Sequence, residues 1–341
     1  MPTNMMLDTS RRQCLSRGLQ FLVGGVGAWV LPVGVNAAVT WPSTKPIKLI
    51  VPAQPGGGLD LVARTTADRL SRAMGTPWVV ENIGGGGGTI ACLTTARAPA
   101  DGQTFMIVNI STHGTNPAIR NLPYDPLKDF THIGMVGGSP NVLIAGPGLA
   151  HVNSVEELIS SLKKKSGDAA YGSAGPGTSS HLVMEQFKLA TGIELTHVPY
   201  RGIGPALVDF MAGRTDVLIP GLTAVLQHLK SPKLKALAVT SASRHPLLPK
   251  VPTFAEIGLK EFSSLQWYGL SGPARLSEDI TKLLNSQLNR VLLEPEVIAK
   301  FEAEALAVLP MTSSQFTSYI KEDITRWLKV VKDRKISVEA S

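Results

Sequence analysis

Hydrophobic and polar positions near the start of the chain change from a period of two residues to a helical period. Ile47, Leu49 and Val51 alternate with other residues as in a short strand, and glycines occupy positions 56–58. Beyond the glycines, apolar or small side chains recur at the spacing of one helix face: Leu59, Val62, Ala63, Thr66, Leu70 and Met74. Gly75 stands where a helix C-cap belongs. The pattern predicts a strand, a glycine turn and a helix.

Further apolar runs alternate with helical patterns along the rest of the chain. The predicted strands cover residues 78–80, 104–108, 133–136, 142–145, 170–173, 194–198, 216–219, 234–239 and 266–273. Residues 137–140, Gly-Gly-Ser-Pro, are interpreted as a loop between two of them. Alternating strands and helices are typical of parallel sheets with helices on both faces. At 341 residues the chain is long enough for two such sheets.

Two predicted turns lead into helices, and each offers donors to an anion. A helix start presents backbone N–H groups without acceptors at the positive end of the helix dipole. The glycines at 56–58 form the first turn, and the small residues at 174–180, followed by His181, form the second. Packing of the helix on its strand explains the first glycines equally well, and helix capping alone explains Ser179 and Ser180. An anion site and these structural roles both remain open.

Known nucleotide motifs do not account for these turns. A P-loop requires Gly-Lys-Ser or Gly-Lys-Thr, whereas Leu59, Asp60 and Leu61 follow the glycines. The dinucleotide fingerprint fails as well, because Leu61 occupies the position of its last glycine. No cofactor is therefore expected.

Charge and cysteine content exclude further classes of protein. The formal net charge is +7, but the basic residues are scattered and their densest run, 163–165, lies late in a predicted helix. A solvated face explains this run better than a nucleic-acid patch. Cys14 lies in a targeting segment and leaves Cys92 as the single thiol of the processed chain. An internal disulfide and a cysteine-based metal cluster are thereby excluded, and no metal is expected.

The N-terminus carries a targeting signal. Arg11 and Arg12 form a twin-arginine pattern, a glycine-containing apolar run follows over 19–35, and small residues lie at Ala37 and Ala38. We expect a signal peptide over residues 1–37, cleavage near Ala37 or Ala38, and a periplasmic protein. A retained membrane anchor is the alternative, although the apolar run is short and interrupted.

An ordered series of short motifs covers nearly all of residues 41–335. They are Pro-Gly-Gly-Gly-Leu-Asp at 55–60, Glu-Asn with five glycines at 81–88, Ala-Asp-Gly at 100–102, Asn-Pro at 116–117, Tyr-Gly-Ser at 171–173, Gly-Pro-Gly-Thr at 175–178, His-Leu at 181–182, Val-Pro-Tyr-Arg-Gly at 198–202, Gly-Arg-Thr-Asp at 213–216 and Val-Pro-Thr-Phe at 251–254. In this order they resemble the tripartite tricarboxylate transporter receptors, the Bordetella uptake proteins, which are periplasmic solute-binding proteins.

The resemblance implies a venus-flytrap fold of type II character and a function without catalysis. Domain 1 is expected to comprise 41–143 and 270–341, and domain 2 to comprise 144–269, with crossings near 140–148 and 268–273. The cleft would bind a small carboxylate through backbone N–H groups and hydroxyls. A membrane permease is the expected partner, and a monomer is expected.

The candidate ligand-binding residues lie in the predicted turns and at the ends of predicted strands. They are Gly56, Gly57, Gly58, Asp60, Ser111, Thr112, His113, Ser173, Thr178, Ser179, His181, Tyr200 and Asp216. Asp60 is expected to organise its loop or to accept a hydrogen bond from a ligand amine or hydroxyl. The chain departs from the family in having Ile83 and five glycines after Asn82, and in having Val-Leu-Ile-Pro after Asp216. The ligand that a typical family member binds is therefore not assigned directly to this chain.

Two other functions remain as alternatives. An orphan binding protein that presents its ligand to a sensor would have the same sequence features. An exported hydrolase has little support, because the chain has no Gly-X-Ser-X-Gly elbow and no His-Glu-X-X-His motif.

Overall fold

The computed structural model describes residues 41–42, 45–165, 167–260, 262, 264–334 and 336. The predicted signal peptide and its cleavage site lie outside these residues. Within the described part of the chain, no helix combines the length and the apolar character that a bilayer span requires.

Strands and helices alternate as the sequence predicts. The strands are β1 Ile47–Val51, β2 Trp78–Asn82, β3 Thr104–Asn109, β4 Phe130–Pro140, β5 Val142–Ala145, β6 Ala170–Ser173, β7 Thr196–Pro199, β8 Val217–Leu218, β9 Lys235–Val239, β10 Leu265–Pro273 and β11 Ala307–Val308. The helices are α1 Gly58–Met74, α2 Thr89–Ala96, α3 Asn116–Ile119, α4 Val155–Lys164, α5 Ser179–Thr191, α6 Ile203–Met211, α7 Leu222–Val225, α8 Glu278–Leu292, α9 Pro295–Ala303 and α10 Ser313–Arg334.

The strands form two mixed sheets. The first has six strands in the order β11-β4-β10-β3-β1-β2, and the second has five in the order β7-β6-β8-β5-β9. We call the residues that build and flank the first sheet the first lobe, and those of the second sheet the second lobe. β1 pairs in parallel with β2 and β3, and β6 pairs in parallel with β7 and β8, while the remaining pairs are antiparallel. The two-sheet α/β fold is confirmed, with mixed rather than mostly parallel sheets.

The predicted strand, turn and helix at the start of the chain are present. Ile47, Leu49 and Val51 have no exposed surface, because β1 lies between two strands and is covered by helices. The helix α1 ends at Gly75, whose φ of 65° and ψ of 19° are left-handed, as predicted for a C-cap.

One predicted loop is wrong. Residues 137–140 do not form a turn but continue β4 as far as Pro140. A Cβ at Gly137 would lie 2.4 Å from the Ala307 carbonyl oxygen, and one at Gly138 would lie 2.4 Å from a methyl carbon of Leu265. These glycines therefore allow close approach of neighbouring strands, which is a common reason for glycine within a strand.

The chain passes between the sheets at Asn141 and again between β9 and β10. At the first passage Asn141 donates its N–H to the Thr240 hydroxyl at 2.8 Å, and Thr240 donates its N–H to the Asn141 carbonyl at 2.9 Å. The two passages are thus hydrogen-bonded to each other. Residues 268–273, where a crossing was expected, lie in β10 of the first sheet. The domain boundaries at 143/144 and 269/270 stay a prediction.

The last helix packs against β10. Trp267 donates its Nε1–H to the Asp323 carboxylate at 2.9 Å, and both side chains are buried. Phe316 occupies the space over Gly269, where a Cβ would lie 2.1 Å from its ring. The strand that returns the chain to the first lobe is therefore fixed by α10.

Candidate ligand-binding site

A cavity of about 750 Å³ lies where segments of both lobes meet. Its walls come from the loops after β1, β2 and β3 in the first lobe and after β6, β7 and β8 in the second, together with two side chains of β10. Ligands of open α/β sheets bind at such carboxyl ends of strands, because the loops there converge and helices begin there.

The start of α1 contributes one wall, through Gly58 and Leu59. A Cβ at Gly58 would lie 3.1 Å from the Cγ2 of Thr223 in α7, so glycine lets the two lobes come close at this point. Gly56 and Gly57 do not line the cavity. Gly57 is the N-cap residue of α1, with an ordinary extended backbone.

Asp60 organises the loop that precedes α1 and does not line the cavity. Its carboxylate accepts hydrogen bonds at 3.0 Å from the Gly56 N–H, the Arg64 Nε–H and the Asn82 side-chain amide. Burial acts to raise the pKa of Asp60, but these hydrogen bonds outweigh it and hold that pKa below its usual value. Asp60 therefore remains ionised and fixes the glycine turn.

The turn after β3 brings Ser111 and Thr112 to the cavity and turns His113 away from it. Thr112 and Asn109 bond to each other, since the Thr112 N–H donates to the Asn109 side chain at 3.0 Å. The His113 ring has no exposed surface, lies 4.6 Å from the Phe130 ring and places Nδ1 3.0 Å from the Thr112 hydroxyl. Burial lowers the pKa of His113 well below its usual value. His113 thus supports Thr112 from within the core.

The loop between β6 and α5 places Thr178 and Ser179 in the cavity wall. Ser173 lies behind them without exposed surface, with its Oγ 2.7 Å from His197 Nε2, and it accepts the Gly175 N–H at 3.0 Å. A serine beside a histidine is the residue pair of a nucleophile and its base. Here the Ser173 hydroxyl is enclosed, and its contact with His197 fixes the loop.

His181 also lies behind the loop. Its Nδ1 accepts the Gly177 N–H at 3.1 Å, and its ring stacks on His197 with centroids 4.3 Å apart. Burial lowers the pKa of His181 to about 4, so the ring is neutral and able to accept at neutral pH. His181 therefore orders the backbone around Gly177.

Of the two remaining candidates, Tyr200 lines the cavity and Asp216 does not. The Tyr200 hydroxyl donates to Asp209 at 2.9 Å. Asp216 precedes β8 and lies away from the cavity, where it pairs with Lys165 at 2.7 Å and accepts the Ala170 N–H at 2.9 Å. Its role in the structure is to join α4 to the start of β6.

Several lining residues escaped the sequence reasoning. Gln266 and Tyr268 lie two positions apart on one face of β10, and the polar Gln266 between the apolar Leu265 and Trp267 is a signal that could have found them. Arg120 follows α3 and offered no motif at all. The glycines at 84–88, noted in the sequence both as part of a family motif and as a departure from it, form an uninterrupted part of the wall.

The charge of the lining is one-sided. Among the described residues that line the cavity, Arg120 and Arg201 carry a charge, and no aspartate or glutamate is present. Arg201 is exposed, whereas Arg120 is partly buried. The cavity therefore offers cationic side chains, hydroxyls, amides and backbone groups to a ligand.

Comparison with known proteins places the chain in a family. A model described as tripartite tricarboxylate transporter family receptor matches residues 62–336. Protein BugT of Bordetella pertussis is 35% identical over 318 residues, which cover 92% of this chain and 97% of BugT.

Solved structures agree with the sequence match. Rpa4515 of R. palustris with adipate superposes with a TM-score of 0.84 at 34% identity, over 87% of this chain and 99% of that one. MatC from Rhodopseudomonas palustris with bound malate superposes with a TM-score of 0.80 at 29% identity, over 84% of this chain and 99% of that one. This chain belongs to the tripartite tricarboxylate transporter receptor family, whose members are solute-binding proteins.

Proposed function

We propose that the receptor binds a small organic carboxylate in the cavity and delivers it to a membrane permease of the tripartite tricarboxylate type. The observation that carries this proposal is the charge of the lining, which includes Arg120 and Arg201 and no acidic side chain among its described residues. A cavity with that balance attracts an anion and repels a cation.

Backbone donors strengthen the preference for an anion. The helices α1, α5 and α6 all begin at the cavity wall, at Gly58, Ser179 and Ile203. The first N–H groups of a helix have no acceptor within it, and the helix dipole is positive at that end. Carboxylates suit such donors because each oxygen accepts more than one charge-assisted hydrogen bond.

The solved relatives favour the same class of ligand. One was solved with adipate and the other with malate, and both of these ligands are organic acids with two carboxylates. The fold that surrounds their ligands is shared by this chain over more than four fifths of its length.

A thermal-shift screen followed by calorimetry tests the proposal. The screen compares mono-, di- and tricarboxylates with their amides and with sugars of similar size. A ligand at a hundred times its dissociation constant adds about 2.7 kcal/mol to the free energy of unfolding, which raises the melting temperature visibly. A protein that ignored every acid but bound a sugar or a neutral amide at micromolar concentration would contradict the proposal.

The proposal includes a periplasmic location. The twin arginines at 11 and 12 and the small residues at 37 and 38 support export and removal of residues 1–37. Mass spectrometry of the exported protein is expected to find an N-terminus at or near Ala38. A membrane-embedded protein that keeps Met1 would contradict it.

An uptake assay in cells distinguishes delivery of the acid to a permease from its presentation to a sensor. Cells that lack the receptor are expected to lose uptake of the labelled acid, and the restored gene is expected to return it. Intact uptake together with a lost transcriptional response to the acid would favour the sensor.

A further inference from the structure

Arg120 reaches the cavity because the chain leaves α3 in an extended conformation. Arg120 is the C-cap residue of that helix, with φ of −146° and ψ of 155°. Its guanidinium donates to the Pro176 carbonyl of the second lobe. It fits there because Gly177 lacks a side chain, since a Cβ at Gly177 would lie 2.4 Å from Nη2, whereas a Cβ at Gly87 would lie at an ordinary contact distance of 3.7 Å.

The charge of Arg120 is not balanced by the protein. No carboxylate of the described residues forms an ion pair with it, and its buried Nε–H finds no acceptor there. Burial lowers the pKa of the Arg120 guanidinium. By contrast, Arg64 on the same lobe pairs with Asp60 at 3.0 Å. A partly desolvated guanidinium without a counter-charge is costly, and an anion in the cavity would remove that cost.

Arg120 and the start of α1 lie on different parts of the cavity wall. Arg120 is placed between Gly87 and Gly177, where the glycine loop after β2 meets the loop before α5. The start of α1 lies against Thr223 of α7, since a Cβ at Gly58 would be 3.1 Å from it. A ligand with one carboxylate can bind either at Arg120 or at the start of α1, whereas a ligand with two carboxylates can bind at both.

We propose that Arg120 is the specificity-determining residue that selects dicarboxylates over monocarboxylates, by forming a bidentate pair with the carboxylate distal to α1. This inference rests on the proposed carboxylate function and deepens it. A planar guanidinium suits a carboxylate because two parallel N–H donors match its two oxygens, and lysine lacks this geometry.

The test is calorimetry with matched pairs of acids, namely adipate with hexanoate and succinate with butyrate, at constant ionic strength. The wild type is expected to bind at least one diacid at least tenfold more tightly than its partner. Arg120→Gln is expected to remove that preference by weakening the diacid and leaving the monoacid unchanged. Arg120→Lys keeps the positive charge but lacks the two parallel N–H donors of the guanidinium. It is expected to retain only part of the preference for the diacid.

Arg97→Gln is the matched control, because it removes the same charge from an exposed residue that does not line the cavity. It is expected to keep the wild-type preference, and the unliganded melting temperature of each variant reports folding. If monoacids bind the wild type as tightly as diacids, or if Arg120→Gln weakens both equally, the role of Arg120 is overturned while carboxylate binding stands. If no acid of either kind binds, both proposals fail.

Discussion

Ser179 and Gln266 are in direct contact beside the cavity, where the Ser179 hydroxyl donates to Gln266 Oε1 at 2.5 Å. Ser179 begins α5 in the second lobe, and Gln266 belongs to β10 of the first. The Ser179 N–H also donates to Ser111 Oγ at 3.3 Å, and the Thr115 hydroxyl donates to the Gly177 carbonyl at 2.7 Å. Protein groups alone therefore join the two lobes beside the cavity.

We expect the contact between Ser179 and Gln266 to be measurable as an energetic coupling. Ser179→Ala and Gln266→Ala should each lower the free energy of unfolding by about 1 kcal/mol, since each leaves a partner without its hydrogen bond. The double variant should lose less than the sum of the two, by about 0.5 to 1.5 kcal/mol. Urea denaturation of the four proteins gives these values.

Ser241→Ala serves as the control for loss of a hydroxyl. Ser241 is half-buried and donates at 2.7 Å to the Ser243 carbonyl through a solvent-exposed hydrogen bond within its own loop, so its removal is expected to cost less than about 0.5 kcal/mol. Additive losses in the double variant of Ser179 and Gln266 would show that the two residues do not bond in solution.

Gly177→Ala is expected to weaken acid binding by holding the lobes apart. Gly177 has a φ of 81°, and a Cβ there would lie 2.3 Å from Asn116 Oδ1 of the first lobe. Gly192→Ala is the matched control, because Gly192 has a φ of 65° in the same lobe and nothing within 4 Å of its Cβ position. Both variants should lose about 1 kcal/mol of stability from the left-handed backbone.

The two glycine variants should differ in calorimetry. Gly177→Ala is expected to raise the dissociation constant of a bound acid at least tenfold, and Gly192→Ala is expected to leave it unchanged. Equal affinities in the two variants would mean that contact between Gly177 and the first lobe does not contribute to binding.

Asp60→Asn should destabilise the protein more than Asp68→Asn on the same helix. Asp60 is buried and accepts three hydrogen bonds as an anion, so its loss is expected to cost about 1.5 to 3 kcal/mol. Asp68 pairs with Arg72 one turn away on an exposed face, which is worth about 0.3 to 0.5 kcal/mol.

Urea denaturation measures both losses, and amide exchange at Gly56 should accelerate in Asp60→Asn alone. If Asp60→Asn proved as mild as Asp68→Asn, Asp60 would not organise the loop before α1.

Stability should fall as the pH drops from about 6.5 toward 4. Burial lowers the pKa of His132 and of His181 to about 4, whereas an unfolded histidine titrates near 6.5. The unfolded chain therefore binds more protons in this window, and the free energy of unfolding decreases on acidification. Each of the two histidines contributes about 3 kcal/mol to the change in the free energy of unfolding between these pH values. That contribution to stability is fully present above about pH 6.5.

Urea denaturation between about pH 4.5 and pH 7.5 measures this slope. His132→Asn removes one titrating group that does not line the cavity. It is expected to be less stable at neutral pH but to show a shallower dependence of the free energy of unfolding on pH. A wild type whose free energy of unfolding stays constant across this range would contradict the prediction.

Local patterns predicted much of the fold. The alternation of Ile47, Leu49 and Val51 and the spacing up to Met74 predicted β1 and α1 because one face of each element is buried by its neighbours. The glycines at 137 and 138 misled the prediction, because a close approach between strands demands glycine as much as a turn does. Only the partner strand, which is distant in sequence, distinguishes the two cases.

The cavity was harder to predict than the fold. Ser111, Thr178 and Ser179 were found because they follow strands or precede a helix, as ligand contacts do in this class of sheet. His113 and His181 follow the same rule, yet they lie behind the wall, since the direction of a side chain depends on the local turn. Arg120 was missed because its approach depends on Gly177, a glycine in a loop distant in sequence.

Hydrogen bonds that join the lobes without a ligand lower the free energy of the closed, empty receptor. A ligand then meets a form that is already populated, so its apparent dissociation constant falls. The same bonds reduce the difference in shape between loaded and empty receptor. If a permease recognises the closed form, as the proposed function requires, empty receptors would compete with loaded ones for it. Stronger contacts around Gly177 would then increase ligand affinity and reduce the ability of the permease to distinguish loaded from empty receptor.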